Sequence, residues 1–164
     1  MLNYKKIISR LLDQNIYILS NDDKEAIIID PGLGFDLIDG YLKSENLSPI
    51  AVLATHAHID HAGATKTLAN HFNVLIEGPH KEDQFWIDLI PKQKEMFGFS
   101  KADVFKPDRW LDQGDTVTFG EIEIEVYFCP GHTPGHVVFF NRQSQLAQVG
   151  DVLFKGSIGR TDFP

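Results

Sequence analysis

The sequence predicts an α/β domain built from packed layers. Short β-branched apolar runs bounded by turn residues recur along the chain, and segments with helical spacing separate several of them. Residues 121–128 also alternate, with Ile122, Ile124, Val126 and Phe128 on one face and three glutamates and Tyr127 on the other. Strands alternating with helices in one chain of 164 residues give a layered architecture and a single domain spanning 1–164.

The first predicted strand, residues 15–20, alternates weakly. The second, 26–29, is a continuous Ala-Ile-Ile-Ile run ending at Asp30-Pro31-Gly32, and unbroken runs of this kind are buried on both faces. Asn21 to Lys24 between them reads as a hairpin turn. Phe35, Ile38 and Leu42 mark one face of a helix over 35–46. Ile50 to Ala54 is another buried strand. Residues 55–61 therefore lie at a strand's C-terminal end, where ligand sites gather in layered α/β folds. Residues 62–72 predict a helix facing inward through Thr65, Leu68, Ala69 and Phe72, and 74–76 a short strand. From 79 to 110 the pattern is irregular and helical. Its Phe85, Trp86, Met96, Phe97, Phe99 and Trp110 are expected to cover the core or to wall a substrate pocket. Asp112 to Asp115 is a turn. In 121–128, Ile122, Ile124, Val126 and Phe128 face the core and the glutamates face water. Strands over 137–140 and 146–149 come next, joined by a polar turn.

Composition narrows the function. Apolar residues make up 43% and charged residues 23%, as in a soluble globular domain. Near the N-terminus, Lys5, Lys6 and Arg10 accompany Ile7, Ile8, Leu11 and Leu12, but Ser9 and Arg10 break the apolar stretch. No signal or membrane-spanning segment is expected. The net charge of −8 argues against a nucleic-acid or anionic-membrane surface. The single cysteine, Cys129, allows no internal disulfide, which suits a cytoplasmic location. Nothing in the composition fixes an oligomeric state.

Residues 55–61 read Thr-His-Ala-His-Ile-Asp-His. His56, His58 and His61 with Asp60 are too dense for a core or a solvated face. Neutral imidazoles with a carboxylate suit a divalent transition metal. In an extended segment His56, His58 and Asp60 share one side and His61 points elsewhere, so the loop could feed two adjacent sites. Two later segments look like its partners. Cys129-Pro-Gly-His132-Thr-Pro-Gly-His136 places His132 in a turn stiffened by two Pro-Gly pairs, and Asp151 comes after Gly150 at a strand end. His71 and His80 read as surface residues at a helix end and in a loop. Cys129 reads as a small buried residue at a strand end.

These pieces, together with Gly159-Arg160-Thr-Asp-Phe163, run in order from residue 30 to the end. They resemble the metallo-β-lactamase superfamily, most of all its hydroxyacylglutathione hydrolase (type II glyoxalase) branch in a short single-domain form. The resemblance implies a four-layer αββα sandwich with the site at one edge of two sheets. It implies one or two zinc ions, with iron possible. His56, His58 and His132 would hold the first, Asp60 and His61 the second, and Asp151 would bridge. It further implies hydrolysis of a small thioester or glutathione conjugate by a metal-activated hydroxide, with Asp60 accepting a proton. Asp30 would steady a ligand histidine from behind, and His136 would serve a structural hydrogen bond. Lys155 and Arg160 would line the thiol channel, with Arg160 meeting a glutathione carboxylate.

The branch supplies a last histidine to the second ion after the bridging aspartate. Here no histidine comes after Asp151, so the chain is expected to be incomplete at its C-terminus, lacking strands and a helix of the second half. An iron-dependent persulfide dioxygenase is the alternative reading: those enzymes share this fold, residues 159–163 resemble their Gly-Arg-Thr-Asp-Phe segment, and that resemblance implies a single iron held by His56, His132 and Asp151, a two-histidine, one-carboxylate set. A non-catalytic metal-binding remnant is a second alternative.

Overall fold

The computed structural model describes residues 1–9 and 12–163; Arg10, Leu11 and Pro164 lie outside the described residues. Two sheets form its frame. The first comprises β1 (Asn3–Ile8), β2 (Asn15–Ser20), β3 (Glu25–Ile29), β4 (Ser48–Leu53) and β5 (Leu75–Glu77), in that spatial order. β1, β2 and β3 pair antiparallel, whereas β3–β4 and β4–β5 are parallel. The second contains β6 (Thr116–Phe119), β7 (Ile122–Phe128), β8 (Val137–Asn141) and β9 (Leu146–Gln148), an antiparallel meander. A two-stranded ribbon, β10 (Leu153–Phe154) with β11 (Ser157–Ile158), comes last.

The sheets pack face to face through a core that includes Leu19, Ile27, Ile29 and Leu53 on one side and Val117, Ile124, Val126 and Phe139 on the other. The opposite face of the first sheet, with Ile18, Ile28 and Val52, packs against helices. This is why 26–29 is apolar throughout: both its faces are buried. The helices are α1 (Phe35–Glu45), α2 (Ile59–Ala62), α3 (Thr65–Phe72), α4 (Gln84–Asp88) and α5 (Ile90–Phe97). Each contributes to that outer core, through Ile38 and Leu42, Ile59 and Ala62, Leu68, Ile87, and Ile90 respectively. α1 and α3 end where predicted, on Asn46 and Asn73 in the left-handed region. In β7 the glutamates point outward and the isoleucines inward, as the alternation predicts. Among the described residues no helix covers that outward face, so three of the four expected layers are seen. Among the described residues no helix is long and apolar enough to cross a membrane.

Four elements depart from the sequence expectation. β1 leaves no signal in the sequence because it is an edge strand exposed along most of its length, which erases the alternation. β6 is four residues long, too short to show a period. The helix expected over 62–72 is split into α2 and α3, and α2 begins inside the histidine segment. The ribbon β10–β11 lies among exposed side chains without a periodic signature. His80, expected at the surface, is buried: it precedes a short 3-10 helix (Lys81–Asp83), its Nδ1 accepts from the Glu82 N–H, and its ring lies 4.3 Å from that of Phe128. Cys129 is half-buried rather than buried, and burial raises its thiol pKa.

Candidate metal centre

β3 and β4 run parallel, so their C-terminal ends deliver Asp30 and Thr55 side by side. The Asp30 N–H donates to Leu53 O, and the Asp30 carboxylate accepts from Thr55 N–H and Thr55 Oγ1, both at 2.7 Å. After bends at Thr55 and His56 the chain is extended again at His58. His58 O then accepts from Ala62 N–H, closing the turn of α2 and swinging His61 back beside His56, with ring centroids 4.3 Å apart. An extended segment would have sent His61 away; the helical turn brings it in. Ala57 and Ile59 are buried spacers. Gly32 (φ 55°) fits against this turn because a Cβ there would stand 2.6 Å from Asp60 O.

The second sheet supplies the facing groups. His132 comes after β7 and Asp151 after β9; Val137 N–H donates to Thr55 O, joining the two halves at the site. His132 Nε2 lies 3.0 Å from His58 Nδ1 and 3.2 Å from Asp151 Oδ2. His61 Nε2 lies 3.1 Å from Asp151 Oδ1 and 3.6 Å from Asp60 Oδ2, while its Nδ1 contacts Asp30 Oδ2 at 3.0 Å. Asp151 therefore stands between His61 and His132. Its own N–H donates to His136 Nε2, and the His136 ring stacks on His56 at 4.6 Å.

The hydrogen bonds assign one tautomer. The Thr55 hydroxyl donates to Asp30, so its oxygen accepts from His56 Nδ1, 3.0 Å away. His56 Nε2 is then a bare lone pair, buried and without a partner. An orphaned acceptor in a fully buried ring costs free energy unless a hydrogen-bond donor or a cation meets it. His56, His58 and His132 each present a ligand nitrogen within 4.8 Å of the others, which fits a three-imidazole metal site. Asp30, His56 and His61 are equally close together, although Asp30 is already engaged by Thr55 and by His61 Nδ1.

The electrostatics divide the imidazoles. Burial and neighbouring histidines push His56 well below its ordinary pKa, His58 to about 3, and His136 to about 4. Burial also opposes charge on His61, but hydrogen bonds to Asp151 and Asp30 outweigh it and raise it to about 10. His132 shows the same pattern, raised by Asp151 and by the Arg160 carbonyl that accepts from its Nδ1. Burial works against ionised Asp151, yet its two histidine partners hold it well below the usual carboxylate range. Burial raises Asp60, against the pull of His61. A proton on His61 thus occupies the middle of a carboxylate cluster, where a cation is electrostatically favoured.

A cavity of about 400 Å³ opens onto Asp60, His61 and Asp151, with Tyr17, Gln148 and Lys155 among its walls. The Arg160 side chain is exposed, 2.6 Å from Asp162 and over the Phe163 ring, outside this cavity's lining. Phe163 lies 5.2 Å from His58 and Trp86 lies 4.5 Å from it, so one residue of the aromatic-rich segment does reach the site.

Sequence reasoning missed Asp83. This carboxylate is fully buried and accepts from Ala57 N–H (2.9 Å), Thr133 Oγ1 (3.0 Å) and Gly135 N–H (2.6 Å). It also missed Gln93, whose Oε1 accepts from Ile59 N–H at 3.0 Å. Each acts on backbone far away in sequence, and no local motif marks either.

A family model of the metallo-beta-lactamase superfamily matches residues 9–164. The hydroxyacylglutathione hydrolase GloC of Haemophilus influenzae is 39% identical over 164 residues, covering 99% of this chain and 77% of that protein. Among solved structures, the BLEG-1 B3 metallo-beta-lactamase superposes with a TM-score of 0.89 at 34% identity, over 99% of this chain and 78% of the other. A di-iron-bound form of TTHA1623 gives 0.86 at 30% identity, over 98% and 78%. With the two-sheet frame, the clustered imidazoles and these matches agreeing along the chain, the protein belongs to the metallo-beta-lactamase superfamily.

Proposed function

We propose that this protein is a metal-dependent hydrolase that cleaves a small thioester such as a hydroxyacyl-glutathione. The observation that carries the reading is the buried, unpartnered Nε2 of His56, fixed as a lone pair by Thr55 and Asp30 and facing His58 and His132. The hydroxyacylglutathione hydrolase name of the Haemophilus influenzae relative supports the substrate class. In this reading His56, His58 and His132 hold a first divalent ion, Asp60 and His61 belong to a second, and Asp151 reaches both. Zinc is the proposed metal; the di-iron form of one structural relative keeps iron as the other candidate. When bound, such ions polarise a carbonyl and acidify a water molecule.

The chain's own groups supply the rest. Asp60, pushed up by burial, is suited to take a proton at Oδ2 beside His61. His132 donates Nδ1–H to the Arg160 carbonyl, which aims Nε2 inward. Lys155 at the cavity wall offers a cation to an anionic substrate, and Arg160 offers a second once it exchanges Asp162 for a substrate carboxylate. The leaving thiol, of pKa about 8.5, departs as thiolate with little need of a general acid.

The test is release of free thiol from a hydroxyacyl-glutathione by purified protein whose metal content has been measured. Zinc-loaded protein is expected to release thiol and the chelated form to stop. A folded, zinc-loaded protein that releases none would sink the reading. Oxygen uptake on glutathione persulfide by an iron-loaded form would replace it with the dioxygenase.

A further inference from the structure

The two loops that carry His58 and His132 come from different sheets and sit 74 residues apart, yet their nitrogens approach to 3.0 Å. One backbone hydrogen bond, Val137 N–H to Thr55 O, joins the two segments beside His56 and His136 rather than at His58 and His132. What lies between them is Asp83. Its Oδ2 accepts from the N–H of Ala57, the residue between His56 and His58, and from the hydroxyl of Thr133, the residue after His132. Its Oδ1 accepts from Gly135 N–H. The join is two-sided, because His80 N–H also donates to Gly135 O at 3.1 Å. Gly135 permits the approach: a Cβ there would stand 2.4 Å from Asp83 N.

A carboxylate offers about four acceptor positions, and three donors on one fully buried group leave it little freedom. Such a group costs much to bury and is kept where its partners matter. We propose that Asp83 is a positioning residue that sets the spacing of the His56–His58 loop against the His132 loop and thereby sets the affinity of the three-imidazole site for a divalent metal. This rests on the metal-site part of the functional reading and not on the substrate. Partners behind metal ligands typically change affinity by about 10–100-fold.

Asp83→Asn is isosteric and replaces one acceptor oxygen by an amide donor. Whichever way the amide turns, it faces either Ala57 N–H or Gly135 N–H, and one backbone donor loses its acceptor. Asn141 provides a control. It is buried in the second sheet, where it donates to Glu123 O and accepts from the Ser144 N–H and hydroxyl, away from the histidines. Affinity for Co²⁺ and Zn²⁺ is measured by competition with a chromophoric chelator, and the Co²⁺ absorption spectrum is recorded. D83N is expected to bind about 10–100-fold more weakly with an altered spectrum, and N141A to bind as wild type whatever its melting temperature. If D83N does not fold, Thr133→Val decides instead; it removes one donor and is expected to weaken binding several-fold. Wild-type affinity and spectrum in the folded variant would overturn the proposal. So would an equal loss in N141A, which would make the effect one of general stability. Failure of thioester turnover by metal-loaded wild type would remove the substrate reading and leave this one intact.

Discussion

The hydroxyl of Thr55 has one proton, and Asp30 takes it. That single donation decides which nitrogen of His56 is bare, and the other imidazoles proposed to hold metal are oriented by similar small commitments: His61 Nδ1 to Asp30, His132 Nδ1 to the Arg160 carbonyl. Thr55→Val keeps the shape and removes the hydroxyl, so His56 is free to place its proton on Nε2 and Asp30 loses one donor. We predict a fall in zinc affinity of about 10–100-fold with the fold intact, read by chelator competition. Unchanged affinity would show that the tautomer is not set there. At this scale the sequence is most informative. His56, His58, Asp60, His61, His132 and Asp151 all stand out in it, and the structure brings them together. Residue type and spacing point to a metal site because few other roles need that many imidazoles. Asp83 and Gln93 are invisible there because their work is done on N–H groups, and a backbone donor has no letter in the sequence.

At the scale of elements, glycines separate positions that need the missing side chain from positions that tolerate one. Gly32 lies in the left-handed region under α2, and a Cβ there meets Gln14 Oε1 at 2.5 Å and Asp60 O at 2.6 Å. Gln14 can swing away; the backbone of Asp60 cannot. Gly32→Ala is expected to destabilise the metal-free protein by more than ~1 kcal/mol and to shift Asp60 and His61, lowering second-site metal occupancy. Gly40 sits within α1 with nothing within 4 Å of its Cβ position. Gly40→Ala is expected to stabilise by ~0.5–1 kcal/mol. Urea unfolding of the two variants checks both signs, and a Gly40→Ala loss would contradict the helix. Legibility at this scale tracks length and burial. β3 and β7 are plain because one is apolar on both faces and the other alternates over seven residues. α2 is hidden because a four-residue turn within a ligand motif has no room for a period.

The molecule as a whole places opposite pressures on its histidines, and this gives its metal-free form a pH optimum. His56, His58 and His136 have folded pKa values below the ordinary 6.5, at about 3 for His58 and about 4 for His136. As pH falls below 6.5 the unfolded chain takes up protons that the folded chain refuses, so their contribution is complete above that value and lost progressively toward about pH 3. His61 works in reverse. Its folded pKa is about 10, so the folded state holds a proton the unfolded chain has released; that stability is complete below 6.5 and lost as pH rises toward 10. The metal-free protein should therefore melt highest near neutrality and lower on both sides. Bound zinc is expected to change both limbs. A cation beside Asp60 and Asp151 takes the place of the His61 proton, so binding releases protons and the alkaline loss disappears, while the acid loss steepens because protons compete for the same nitrogens. Melting curves from about pH 5 to about pH 9, with chelator and with zinc, test this. An alkaline limb of equal slope in both would mean that the cation does not displace the His61 proton, and that the carboxylate cluster serves the fold without holding a second ion.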